Sequence, residues 1–212
     1  VGAHLALVGM PSALDGRPLP PTLRDLLGVL ARRRLPVYEE LKAQLEHILA
    51  AGIRPVHLDT HKHTHLIPQV LEAVLRLASE YGIRWIRRPF DWRWPGEPPA
   101  PWRDRLFSRF LELLRPGFDR RLAGSGCRAT DYFAGLRMTG RFGASDLVAM
   151  IHALPEGATE FMCHPGRCGP ELASARTRLK QSRERELAAL TAPEVFEAWQ
   201  KAGVRLAGRR EL

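Results

Sequence analysis

Three cysteines among 212 residues are too few for a disulfide-stapled fold. Cys127, Cys163 and Cys168 form an odd, sparse set, and the step from Cys163 to Cys168 is not zinc-knuckle spacing. They read as reduced thiols. No apolar run is long enough to span a bilayer, and the first residues do not read as a signal segment, so a cytoplasmic protein is the expectation. There is no Gly-rich phosphate loop, no Gly-x-Ser-x-Gly elbow and no His-Glu-x-x-His helix. Nucleotide cradles, serine-hydrolase elbows and helix-borne zinc protease sites are thereby set aside.

The chain is basic, with a net charge of +9. Short runs at Arg32–Arg34 and around Arg84, Arg87 and Arg88 alternate with Leu, Glu and Pro, without exposed aromatics interleaved on one face. An Arg-rich surface accounts for this better than a nucleic-acid site does. With 45% hydrophobic residues the chain can bury a real core, and one domain over residues 1–212 is expected.

The order of elements is strand, helix, strand, helix. Residues 2–7 read as a short buried strand and 9–21 as a Pro/Gly-rich loop. A helix over 37–51 carries Val37, Leu41, Leu45, Ile48 and Leu49 on one face, with Gly52 placed to end it. Residues 54–60 read as a strand. Pro68 starts a helix that Gly82 stops, and 83–87 form another strand. A proline- and tryptophan-rich loop over 89–101 precedes a helix at 102–114, with Leu106, Phe110, Leu113 and Leu114 expected inward. Strands near 131–137 and 159–163 flank a helix near 145–153. Helices near 181–190 and 193–202 and a short strand at 203–206 close the pattern. Such alternation predicts an α/β fold with a mainly parallel sheet, open or closed into a barrel.

The densest chemistry lies in His57-Leu58-Asp59-Thr60-His61-Lys62-His63-Thr64-His65. In an extended chain alternate residues share a face, lining it with four imidazoles and a carboxylate. Residues 57 to 65 would then span roughly 26 Å, at about 3.3 Å per residue. One ion cannot hold both ends, because metal–nitrogen bonds are about 2 Å. Pro68 also begins a helix soon after, so the strand must end near residue 60. His61 to His65 then sit at its carboxyl end, where α/β active sites form. His61 is the best ligand candidate; the others orient it or contact substrate.

His4, in a strand of small and apolar residues, faces that edge if the sheet is parallel, although a buried strand histidine is more often a core residue. His164 follows the apolar strand Ala158-Thr159-Glu160-Phe161-Met162, in reach of general acid–base work, or else caps a turn. Asp131 is a substrate contact or a turn residue. Arg87 and Arg88 bind a hydroxyl-rich or anionic ligand or pair with surface acids. Trp85, Trp92, Trp94 and Trp102 suit sugar stacking or core packing.

Taken together, Gly2-Ala3-His4-Leu5, the run from Pro55 to His65, and Glu160 to Pro165 resemble the YdjC-like carbohydrate deacetylases. The stretch from Thr130 to Arg137 with Thr139-Gly140 resembles the hopanoid biosynthesis-associated branch, HpnK. The resemblance implies a deformed parallel β/α barrel, TIM-like and similar to polysaccharide deacetylases. It also implies hydrolysis of an N-acetyl group from an amino sugar or glycolipid-type carbohydrate. By it, His4 and His61 hold a divalent metal, Mg²⁺ or Zn²⁺, and His164 protonates the leaving amine. Asp59, His63, His65, Arg88 and Asp131 are left as substrate or supporting residues.

The family's third ligand is an aspartate of an Asp-Asp-Phe-Gly motif that residues 1–212 do not contain. The expectation is a chain lacking its first strand and helix, inactive or nearly so alone. An open strand edge would invite a homodimer. The competing readings are a catalytically inactive metal- or sugar-binding remnant and, with little weight, a nucleic-acid binder.

Overall fold

The computed structural model describes residues 1–175 and 177–212. It contains two compact units. The first comprises Val1–Arg87, Leu113–Ala129 and Arg209–Glu211; the second comprises Arg88–Glu112, Thr130–Gly208 and Leu212.

In the first unit, β1 (Ala3–Leu5), β2 (His57–Thr60) and β3 (Trp85–Ile86) form a parallel sheet in the order β1-β2-β3. Ala3 pairs with Leu58, His4 with Asp59 and Leu5 with Thr60. Ala3, Leu5 and Leu58 are buried, so the apolar positions anchor the register on the helix-covered face. Helices α2 (Val37–Ala50) and α3 (Pro68–Glu80) pack on one another. Leu41 and Leu45 of α2 and Val70, Leu71, Val74 and Leu77 of α3 are fully buried or nearly so. Pro68 sits in the first turn of α3, where its missing N–H costs nothing.

Helix α1 (Leu23–Ala31) falls where the sequence reading assigns no element. Its start is nonetheless encoded: Thr22 Oγ1 accepts from Asp25 N at 3.2 Å and donates to Asp25 Oδ2 at 2.6 Å. Leu26 and Leu30 then fall one turn apart on the buried side.

In the second unit, β4 (Tyr132–Ala134) and β5 (Thr159–Phe161) pair in parallel. Helices α5 (Ala144–His152), α7 (Ser182–Leu190) and α8 (Pro193–Lys201) supply the apolar cover, with α6 (Pro170–Ser174) a short turn before them. Ala134, Met138, Phe142, Leu147, Met150, Ile151, Ala189, Val195 and Ala198 form this core together with Trp94. The observed strands confirm an α/β fold with parallel pairing.

Two expectations fail. Residues 203–206 are not a strand. Gly203 adopts φ 64° after α8, and Val204 N donates to Trp199 O at 3.1 Å, so these residues close the helix end instead. Helix α4 runs Trp102–Ala123, through Pro116, well past residue 114. Its expected inward face is turned out: Leu106, Phe110 and Leu113 are 60%, 55% and 77% exposed. Leu111 and Phe118, seven residues apart on another stripe, are the buried ones. An apolar stripe at helical spacing shows that a helix is amphipathic, not which face the fold covers.

Candidate active site

Parallel pairing in register puts side chains of partnered residues on the same face of a sheet. That places His4 of β1 beside Asp59 of β2: His4 Nδ1 lies 2.9 Å from Asp59 Oδ1. Asp59 is 2% exposed, and its other carboxylate oxygen is ion-paired with Arg87, which follows β3. Two adjacent strands and the residue after the third thus contribute one side chain each to a chain of contacts, Arg87 to Asp59 to His4.

An ionised Asp59 can only accept, so His4 donates from Nδ1 and its Nε2 carries the lone pair. About half of the His4 side chain meets solvent (53%). Desolvation of its inner side, and then the nearby Arg87 guanidinium, hold its pKa below the usual imidazole value.

His61 is the first residue beyond the carboxyl end of β2. Its ring faces that of His4, with centroids 5.7 Å apart and planes nearly perpendicular at 84°. Beyond it the chain turns tightly. Lys62 (φ 54°, ψ 26°) and His63 (φ 53°, ψ 34°) both occupy the left-handed region, which non-glycine residues rarely visit. The alternation of faces therefore stops at Thr60, and His63 and His65 do not extend the His61 row.

Thr60 holds this turn. Its Oγ1 accepts from His65 N at 2.8 Å and from Thr64 Oγ1 at 2.9 Å. Its own hydrogen is left for His65 Nδ1, 2.8 Å away. His65 Nε2–H then donates to Arg87 O at 3.0 Å, because a carbonyl can only accept. His65 is fully buried with both ring nitrogens bonded, and its ring also meets His63 and Phe118 edge-on. It ties the turn to the segment that carries Arg87.

His57, at the start of β2, packs over Gly2. A Cβ on Gly2 would fall 2.1 Å from His57 Cε1. The close approach that the glycine permits is that of an imidazole.

In the second unit, His164 lies three residues past the carboxyl end of β5. Its backbone N–H donates to Glu186, a fully buried carboxylate on α7. The same carboxylate accepts from Gly140 N at 2.6 Å. Glu186 has no local signal in the sequence beyond being a glutamate on the inner side of a helix. Asp131 lies at the amino end of β4, where its Oδ2 accepts from Ala158 N at 2.8 Å. Within this sheet it is therefore at the opposite end from His164 and acts as a loop tie.

Arg88 lies with its guanidinium 5.7 Å from the Phe90 ring. Trp94 is buried and stacks on Trp92 at 5.3 Å, while Trp102 is exposed. Asp91, also unforeseen, is buried and receives Leu136 N at 3.1 Å and Arg137 N at 2.8 Å. Gly135 (φ 119°) leaves no room for a side chain, since a Cβ there would fall 2.2 Å from Met162 O. Thr139 Oγ1 donates to Gly135 O at 2.7 Å. The stretch from Thr130 to Gly140 is thus occupied largely in building the loop after β4.

His4 and His61 suit a divalent ion as two imidazole nitrogen donors, one of them backed by a carboxylate, the arrangement that orients ligating imidazoles. Among the described residues, no group of three His, Cys, Asp or Glu side chains forms a ligand set.

The fold and site define a parallel α/β protein with paired imidazoles at a strand carboxyl edge. Residues 1–201 match the family described as YdjC-like protein, and the chain belongs to that family. It is 30% identical over 223 aligned residues to a carbohydrate deacetylase of Geobacillus stearothermophilus, covering all of this chain and 76% of that protein. It is 30% identical over 199 residues to the human carbohydrate deacetylase, covering 83% of this chain and 59% of the relative. Its fold superposes with TM-score 0.66 on the crystal structure of an Enterococcus faecalis V583 protein assigned to cellobiose-phosphate cleavage. That match has 20% identity and spans 99% of this chain and 76% of the other.

Proposed function

We propose that this chain belongs to a carbohydrate deacetylase, a hydrolase that removes an N-acetyl group from an amino sugar with the help of a divalent ion. The family membership and the deacetylase relatives support the reaction class. The observation that carries the site is the His4–His61 ring pair with Asp59 behind His4.

His4 and His61 would hold Mg²⁺ or Zn²⁺, and Arg87 fixes the carboxylate that orients His4. When bound, the ion supplies Lewis acidity toward the acetyl carbonyl and lowers the pKa of water. His164 is the proposed proton donor to the leaving amine, with its backbone held by Glu186. By the family resemblance, the third ligand is the aspartate of a motif that residues 1–212 do not contain, and the fold is a deformed β/α barrel. The resemblance of the Thr130–Gly140 stretch supports a place in hopanoid biosynthesis, in the cytoplasm, with an N-acetylated amino sugar or glycolipid-type carbohydrate as the proposed substrate.

Divalent-ion affinity of the purified chain, with His4→Ala and His61→Ala, tests the site. Each substitution is expected to weaken binding of one ion at least tenfold; unchanged affinity in the double variant overturns the assignment. A second reading is a catalytically inactive metal- or sugar-binding remnant. Acetate release from N-acetylated amino sugars separates the two: rapid turnover by the 212-residue chain excludes the remnant.

A further inference from the structure

The first three turns of α4 present an apolar stripe that nothing in the second unit covers. Trp102 is 68% exposed, Leu106 60%, Phe107 40% and Phe110 55%. At 100° per residue, Trp102, Leu106 and Phe110 fall within one quadrant of the helix. Arg109 and Arg105 border that quadrant on one side and Arg103 on the other, all three exposed. The guanidinium of Arg103 also lies 5.3 Å from the Trp102 ring. Of the acids on these turns, Asp104 is paired with Arg141 at 2.7 Å, which offsets its charge. Glu112 stands beyond the arginines at the far edge.

We propose that this face of α4 docks on an anionic lipid bilayer. Aromatic and leucine side chains flanked by arginines are the composition of helices that lie in the plane of a membrane interface. Tryptophan favours the headgroup level. The helix is not a membrane span: no helix among the described residues is long and apolar enough to cross one. Charge complementarity selects the occupant. The arginine border and the chain's +9 charge suit acidic headgroups, whereas a second copy would set arginines against arginines. The proposal uses no residue of the histidine site, so its failure leaves the deacetylase reading untouched.

The test is co-sedimentation of the full chain with phosphatidylcholine vesicles, with and without phosphatidylglycerol. The partition coefficient is expected to rise with phosphatidylglycerol and to fall as salt is added. Leu106→Glu and Phe110→Glu should each lower it roughly tenfold, and Arg105→Glu with Arg109→Glu by roughly fivefold per site. These side chains are exposed, so the variants keep the fold, which circular dichroism checks. Tryptophan emission should shift to the blue on binding, and Trp102→Phe should remove most of that shift. Equal binding to both vesicle types, or unchanged binding by the Leu106→Glu/Phe110→Glu protein, overturns the proposal. So does wild-type self-association that this double substitution abolishes, since a second copy would then cover the face.

Discussion

His4 and Asp59 are register partners on adjacent parallel strands, and the 2.9 Å contact from His4 Nδ1 to Asp59 Oδ1 fixes which nitrogen of His4 faces outward. Asp59 can do this because Arg87 holds its other oxygen. Asp59→Asn keeps the shape but weakens both contacts. Carboxylates behind ligating histidines are worth about 10- to 100-fold in metal affinity, and a loss in that range is expected by calorimetric titration. Asp59→Ala should add instability of about 3–5 kcal/mol, because it removes the carboxylate ion-paired with a largely buried Arg87. Wild-type metal affinity in a folded Asp59→Asn protein would remove Asp59 from the site.

Gly2 and His57 form a second coupled pair. A methyl group at residue 2 cannot coexist with the imidazole where it stands. Gly2→Ala should cost about 1–3 kcal/mol in urea denaturation, in the range for overpacking. His57→Ala should absorb most of that cost, giving a non-additive double-mutant cycle. Additive losses would mean that the ring moves aside freely.

Much of this site is legible in the sequence, and its limits have physical causes. The end of β2 near residue 60 follows from Pro68 and the helix behind it. His4 and His61 follow from strand position and family motif. The sequence favours His61 over His65 by its place at the strand end, but not the way their rings part. Both lie at odd positions in one run, and only the left-handed pair Lys62-His63 sends one ring outward and the other into the core. Asp131 illustrates the converse: of its two readings, substrate contact or turn residue, the bond from Ala158 N at the amino end of β4 fits the turn residue. Glu186 and Asp91 are invisible because their partners are backbone N–H groups 22 and more residues away. No local pattern encodes such contacts. The α4 face is misjudged because periodicity does not say what covers a stripe.

Asp91 gives a pH signature. Burial pushes its carboxyl up to about 6, against the N–H groups of Arg137 and Leu136; Glu97 raises it further. The native state therefore keeps a proton that the unfolded chain releases near its ordinary value of 3.8. Asp91's contribution is greatest below pH 3.8 and is lost as pH rises to about 6. The shift corresponds to a decline on the order of 3 kcal/mol. Comparing unfolding free energies of wild type and Asp91→Asn across this window isolates the effect. The Asn variant should lack that downward slope, and parallel curves would show that Asp91 titrates normally.

Glu186 supplies the sharpest test of how His164 is held. One buried carboxylate receives the backbone N–H of His164 and of Gly140, so it fixes the loop after β5 to the loop after β4. Glu186→Ala leaves two N–H groups without an acceptor and a small cavity, which together should cost about 3–5 kcal/mol. Glu186→Gln keeps one acceptor oxygen but turns an amide toward the other N–H, and should recover no more than half of that loss. If the carboxylate positions His164, the Gln variant should also lower kcat for acetate release in a catalytically competent form of the enzyme, leaving KM near wild type. A Glu186→Gln protein with full stability and unchanged kcat would show that the buried carboxylate does neither job.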